Sequence, residues 1–411
     1  MATCFSIADQ NNLDLFVAKH NLSIAKAGIK IAGAIPNPQL QVQTGFGDSF
    51  EYAFTGQTQQ AFLTEQIQTA GKRSKKISVA RSNYTLSELQ LDALRFDIHN
   101  RVRRAYAELA ASEANSELIE RQRDLAVKML DLAKQKAKSE NDSDVLQSIL
   151  NVDQFEPQRN QAQGRLQQAS ANLSLALGVK PEHVEIFDVD DNGLFGDSTK
   201  SSRLVPAPQR NLPSVENLIS TAFGARLDLK MAEERTEMNR RSLKLTRAER
   251  IPDLTLGSGF TFSTFAKNQP AGLGSASNYL GEGAFVTIST EAPVFYQHQG
   301  EIKQAISAVR QSDLQVDLLK SQIASGIISD YNALKGAQAN LAVLREQLLP
   351  VAKRIASVSL DGYVKGDVDL STAMVEQQVY QQTMSSYFDT VVAYQTAWAD
   401  LERDVGVPLQ N

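Results

Sequence analysis

Cysteine is almost absent from the 411 residues. The single Cys4 excludes an internal disulfide and any metal cage built from thiolates. Histidine is scarce too. His20, His99, His183 and His298 lie far apart, with no HxxxH or HExxH spacing, so no local metal site is implied. No apolar run reaches the roughly 18–20 residues that a membrane-spanning helix needs. The nearest, LSIAKAGIKIAGAIP at 22–36, is interrupted by Lys26 and Lys30. Dense basic blocks are missing and the net charge is −5, which speaks against a nucleic-acid partner. There is no P-loop, no GxSxG and no acid/base pair in a plausible pocket, so neither an enzyme nor a cofactor is expected. The start, MATCFSIADQNNLD, lacks a charged segment followed by an apolar one, so a secretory signal is missing from this chain.

What the sequence does contain is a repeat. In each half a helix leads into a strand, a short link, a second strand, a long helix, a turn and a returning helix. The first repeat occupies 1–179 and the second 214–411, and they close alike with ALGV at 176–179 and DVGV at 404–407. Between them, 180–213 is rich in Pro, Gly, Asp and Ser and reads as a linker. The long helices are the firmest local expectation. No Gly or Pro occurs from Lys72 to Glu156, and the polar stretch SENDSD at 139–144 marks a reversal. In the second repeat Ile302, Val309, Val316 and Ile323 are spaced by heptads. Ile327, Leu334, Leu341, Leu348 and Ile355 continue the same seam, with Asp313, Lys320 and Asp330 as exceptions. About 60 helical residues at 1.5 Å each would extend roughly 90 Å, too long for a compact globule. Pro350 predicts a kink or discontinuity there.

Four strands are expected, at about 39–47, 59–67, 253–265 and 284–292. In PNPQLQVQTGFGDSF, Gln39, Gln41 and Gln43 fall on one side of an extended chain, and Leu40, Val42 and Phe46 on the other. Leu254, Leu256, Phe260 and Phe262 share a side in IPDLTLGSGFTFSTF, as do Ala61, Leu63 and Ile67, and Val286 and Ile288. Two architectures fit this alternation. One is a soluble sheet packed on the helices. The other is a transmembrane barrel with apolar rows outward and polar rows toward a lumen. Four strands cannot close alone, so the barrel requires three copies and twelve strands, with the outward Glu65 at the membrane interface.

AIPNPQL at 34–40, the helix start Gly71-Lys72-Arg73, RAERIPDLTLGSGF at 247–260, EAPVFYQHQGEI at 291–302 and DGYVKGDVDL at 361–370 follow one another within this duplicated frame. In that order the chain resembles the TolC family of outer-membrane factors over nearly its whole length. Residues 34–40 and 247–260 are most like the heavy-metal-efflux, CzcC-like branch. The resemblance implies an α+β homotrimer, with coiled helices forming a periplasmic tunnel below a twelve-stranded barrel in the outer membrane. It implies an exit duct without catalysis, for metal ions or small toxic compounds. The implied partners are a periplasmic adaptor and an inner-membrane transporter. The missing leader then implies an N-terminally truncated chain.

On that reading Gln39, Gln41 and Gln43 face the lumen. Leu40, Val42, Phe46, Leu254, Leu256, Phe260, Phe262, Val286 and Ile288 face lipid. The helix–turn–helix ends, Asp142, Ser143, Asp144 and Val145 with Gly366, Asp367, Val368 and Asp369, form the periplasmic tip that meets the adaptor. Gly366 allows a tight reversal, and Asp142, Ser143, Asp367 or Asp369 can cap a returning helix. Beyond the second turn only Glu376 offers a carboxylate for an acidic gate. QTAGKR lacks the proline usual at that turn, whereas the second repeat keeps Pro293. Trp398, Tyr387, Tyr394, Phe388 and Val391 share helical spacing and are expected to pack in the last helix. Two other functions stay open: a type I secretion or polysaccharide-export duct of the same family, and a soluble coiled-coil scaffold.

Overall fold

The structure is a computed structural model that describes residues 2–45, 58–137, 142–180, 212–263 and 283–409. Helices α1 (Ala2–Asn11) and α2 (Leu13–Ala32) precede strands β1 (Gln39–Gly45) and β2 (Thr58–Ile67). Helices α3 (Lys72–Lys136), α4 (Ser143–Leu177), α5 (Val215–Ala225) and α6 (Leu227–Glu249) follow. The second pair of strands is β3 (Leu254–Ser263) and β4 (Gly283–Thr290). Helices α7 (Gln299–Val343), α8 (Leu349–Lys365) and α9 (Leu370–Val405) complete the chain. The expected linker, from 181 to 211, and Phe46 lie outside the described residues. The elements follow the two repeats in order, but compaction does not. One unit holds Met1–His20, Leu89–Lys230 and Asp317–Asn411, and the other holds Asn21–Glu88 and Met231–Val316. Each unit therefore draws on both repeats.

In the first unit the helices close on small and aliphatic residues. Ile98, Val102, Leu109, Leu173 and Leu177 bury together with Ala8 and Leu15, and Cys4 packs partly buried against them. Two glycines end the returning helices. Gly178 (φ 73°) and Gly406 (φ 80°) are left-handed caps of α4 and α9, which accounts for the twin closures in the sequence. A Cβ on Gly178 would lie 2.6 Å from Cα of Asn12. Tyr387, Phe388, Val391, Tyr394 and Trp398 are all buried along α9, as their spacing predicts.

The heptad seam holds only in part. Val316, Ile323, Ile327, Leu334 and Leu341 are buried, but Leu348 and Ile355 are 49% and 44% exposed. The cause is a π turn at Leu344–Leu348, where the Leu349 N–H reaches back five residues to the Leu344 carbonyl. Pro350, in the first turn of α8, has no N–H to give the preceding turn. The wider turn adds one residue and displaces the buried stripe onto Ala352, Ala356 and Tyr363. The proline thus produces a register shift that leaves an apolar stripe, Leu348, Val351, Ile355 and Val358, uncovered within the chain.

In the second unit the four strands form one antiparallel sheet in the order β1-β2-β3-β4, leaving β1 and β4 as its edges. The register sets Leu40 opposite Leu63, Val42 opposite Ala61, Ala61 opposite Phe260 and Leu256 opposite Ile288. One face therefore collects the apolar rows and the other the glutamines, threonines and glycines. Gly259 lies opposite both Phe62 and Phe285, whose rings approach to 6.3 Å across the intervening strand. Flat strands two apart would be about 9.5 Å apart, so the two rings lean over the glycine. A Cβ there would stand 2.5 Å from the Ala61 carbonyl oxygen and 2.5 Å from Cβ of Phe62. Gly259→Ala is expected to destabilise the sheet by about 1–3 kcal/mol through overpacking. Chemical denaturation of the folded protein, compared with Ser258→Ala on the open face, measures the difference.

Candidate functional site

The sheet inverts the usual arrangement of a soluble protein. Along β3 the polar side is the more covered, with Gly257 and Thr261 buried, whereas Leu254, Leu256 and Phe260 on the other side are exposed. Across the sheet the apolar row formed by Leu40, Val42, Leu63, Ile67, Leu254, Leu256, Phe260, Val286 and Ile288 is 38–77% exposed. Among the described residues no helix covers it, unlike the face of a soluble sheet packed on helices. Gln39, Gln41 and Gln43 share the opposite face with Thr64, Gln66, Thr255 and Thr287, and all of these are uncharged. Phe262 continues β3 in register with Gln59, and its side chain lies outside the description. Sequence reasoning missed the two aromatics on the polar face, Phe62 and Phe285. The glycine opposite both of them, Gly259, was the available clue.

The junction from β2 to α3 is built differently from a proline turn. Ala70 (φ 54°) and Gly71 (φ 64°) are consecutive left-handed residues that reverse the chain into the helix. Asp253 fastens this turn from the start of β3. Its carboxylate accepts from the Thr69 N–H at 3.0 Å, the Lys72 Nζ at 2.7 Å and the Gln66 Nε2 at 3.1 Å. The Thr69 hydroxyl also donates to the Pro252 carbonyl at 2.7 Å. Lys72 is nearly buried, so this is a charged pair with its partners supplied.

In the first unit the two helix–turn–helix ends are joined. Asp142 caps α4, accepting from the Asp144 N–H at 3.4 Å. Asp369 caps α9, accepting from the Thr372 N–H at 3.2 Å and its hydroxyl at 2.6 Å. With the Ser371 hydroxyl also donating to it, the Asp369 carboxyl is lowered to about 2. Of the four capping candidates these two cap, and Ser143 and Asp367 do not. Gly366 (φ 89°) closes α8, and the Asp367 N–H returns to the Gly362 carbonyl at 2.8 Å. Val145 is buried, so it packs the hairpin and offers no surface to a partner. Lys136, which the sequence left unremarked, donates to the Tyr363 carbonyl and, at 3.3 Å, to the Val364 carbonyl, with Nζ 4.4 Å from the Tyr363 ring centre. A cation at the last carbonyls of α8 is favoured by the helix dipole. Around it Met129, Tyr363, Leu370 and Ala373 form a small core.

The family model described as "Outer membrane efflux protein" matches residues 5–179. The cobalt-zinc-cadmium resistance protein CzcC of Cupriavidus metallidurans is 24% identical over 414 residues, covering 99% of this chain and 90% of that protein. Among solved structures, the outer membrane protein VceC of Vibrio cholerae aligns with a TM-score of 0.73 at 17% identity, over 100% of this chain and 96% of its own. CusC aligns with a TM-score of 0.75 at 17% identity, over 99% and 92%. Residues 5–179 thus match the outer membrane efflux protein model, and the whole chain is similar to channels of that kind. Its fold is the α+β, internally duplicated one of these outer-membrane channels. Among the described residues no helix is long and apolar enough to cross a membrane, and no cluster of three or more His, Cys, Asp or Glu could hold a metal ion.

One titratable group of the chain stands apart. Asp330 occupies a heptad position in α7, and its Oδ2 is buried without a hydrogen-bond partner. Burial raises its carboxyl from 3.8 to about 6, helped by the charges of Asp404 and Asp400 and opposed by Arg403. Because the folded value is the higher, the folded state binds the extra proton, and stability falls as pH rises from about 4 to 6. Asp330→Asn should therefore raise the melting temperature at pH 7.5 and leave it nearly unchanged below pH 4. Parallel melts of both proteins across that range measure the crossover.

Proposed function

We propose that this chain is the outer-membrane exit duct of a tripartite efflux pump, carrying metal ions or small toxic compounds out of a Gram-negative cell. The exposed apolar face of the sheet, with Gly257 and Thr261 buried on the polar side of β3, carries the proposal. That arrangement is unfavourable in water and favourable where the outer surface meets lipid. The two free edges add to it, because lipid offers nothing to unpaired backbone N–H and C=O groups. Three copies supply twelve strands and close the ring. Heptad-spaced apolar stripes left uncovered within the chain, Val17, Ile24 and Ile31 on α2 and Leu348, Val351, Ile355 and Val358 on α8, support neighbouring copies packing along the helices.

Inside such a ring the side chains of Gln39, Gln41 and Gln43 present neutral amides. They hydrate a passing solute without holding it, which suits a duct for cations better than rows of carboxylates would. The hairpin ends, with Asp142, Ser143, Asp144, Gly366, Asp367, Val368 and Asp369, are the surface we assign to a periplasmic adaptor, itself driven by an inner-membrane transporter. Divalent cobalt, zinc and cadmium, the metals in the name of the relative, are the first cargo to test.

Two measurements decide it. Detergent-solubilised protein from outer membranes should have three times the 45.1 kDa chain mass, and cells lacking the gene should lose resistance to at least one of the three metals. A monomer from the same membranes would overturn the assembly, and unchanged resistance to all three would overturn the cargo.

A further inference from the structure

We infer that β4 of one copy pairs with β1 of the next in a fixed register, Ile288 opposite Val42, and that Asn37 fastens the neighbour's 291–298 link. This rests on the trimeric channel proposed above. The chain itself contains the template, because β2 and β3 already join one repeat to the other.

The two repeats can be superposed residue by residue at the strand ends. Ile35-Pro36-Asn37 and Ile251-Pro252-Asp253 each precede a strand of the same alternation. Gln39 of β1 lies opposite Thr64, and its counterpart Thr255 of β3 lies opposite Ser289. Thr64 and Ser289 are thus equivalent, and so are Ile67 and Ala292. In the internal junction Ile67 lies opposite Leu254. Carried to the two free edges, that pairing sets Ala292 opposite the next copy's Pro38. Two steps along the antiparallel ladder it sets Thr290 opposite Leu40, and then Ile288 opposite Val42. The parity is an independent check. Val42 and Ile288 both lie in the apolar row, and a slip of one residue would set amides among the lipid-facing side chains.

At the end of the sheet the same equivalence gives Asn37 a task. Within the chain, Asp253 binds the link before α3 and neutralises Lys72, the first residue of that helix. Asn37 is exposed and, among the described residues, has no side-chain partner. The link before α7 passes, like the first, through a left-handed residue just before the helix, His298 (φ 56°), and α7 then opens with Gln299. The internal junction therefore matches a carboxylate to an ammonium, whereas the junction between copies matches an amide to an amide. A neutral Asn37 cannot replace Asp253 at the buried Lys72, so each junction selects its own partner. The second link is also longer, and it presents Phe295 at 97% exposure beside Val294 and Tyr296, apolar surface for the neighbouring copy to cover.

The test uses the full chain in outer-membrane vesicles, in a Cys4→Ser background. Directly opposed residues have Cβ atoms about 4.5–5.5 Å apart, near the range a disulfide spans. Mild oxidation of Val42→Cys with Ile288→Cys should yield reducible dimers and trimers on a denaturing gel. Val42→Cys with Val286→Cys, slipped by two residues, should stay monomeric. Linkage of the slipped pair, or of neither pair in a preparation of trimeric mass, overturns the register and leaves the channel intact. A monomeric mass removes both. Asn37→Ala should lower the dissociation temperature of the trimer by several degrees, and Asn37→Asp with Gln299→Lys should restore it. An unchanged temperature in Asn37→Ala overturns the role of Asn37.

Discussion

A sheet surrounded by hydrocarbon must satisfy every backbone hydrogen bond within protein, and the rest of this molecule follows from that constraint. Four strands with an apolar face outward and two open edges cannot meet it alone. In the proposed trimer the chain supplies one third of a ring, and the rest of it is arranged to present that third correctly. Gly257 and Gly259 let Thr64, Thr287, Phe62 and Phe285 converge on the polar side. The curl that results turns Leu40, Val42, Phe260 and Ile288 outward. One end of the β2–β3 pairing between the repeats is pinned by Asp253, which holds Gln66, Thr69 and Lys72.

The helices serve the same end by different means. Repeating a long helix and its return gives each chain two hairpins, and their ends are fastened by Asp142, Asp369 and Lys136. The π turn before Pro350 lets a single helix change the face it buries, from the row ending at Leu341 to the row beginning at Ala352. One sequence can thereby cover its own core with one stripe and leave another exposed, which the proposed trimer would cover. On α7 the buried setting of Asp330 raises its carboxyl to about 6, so this helix carries a pH-sensitive contribution to stability.

Much of this was legible in the sequence. Period-two alternation located all four strands within a few residues, since a sheet with one face in lipid demands strict alternation. The absence of Gly and Pro located α3, and the spacing of Tyr387, Tyr394 and Trp398 located the buried face of α9. Other features were hidden for physical reasons. Heptad counting assumes a constant turn, so it assigned Leu348 and Ile355 to the buried face that the π turn moves away from them. Local patterns say nothing about partners far apart in sequence, so Lys136 and Tyr363, or Asp253 and Lys72, could not be paired. Val145 looked like tip surface because a short turn gives no indication of which side the hairpin packs. Phe62 and Phe285 sit in polar rows whose average character masked them.

The central claim is that the apolar row of the sheet meets lipid and the glutamine row meets water. Single cysteines at Leu40, Val286, Gln41 and Thr287, labelled with a fluorophore in reconstituted vesicles, test it directly. Brominated lipid should quench the first two and aqueous iodide the last two. Equal access of iodide to all four positions would contradict the account and return the sheet to a water-soluble setting.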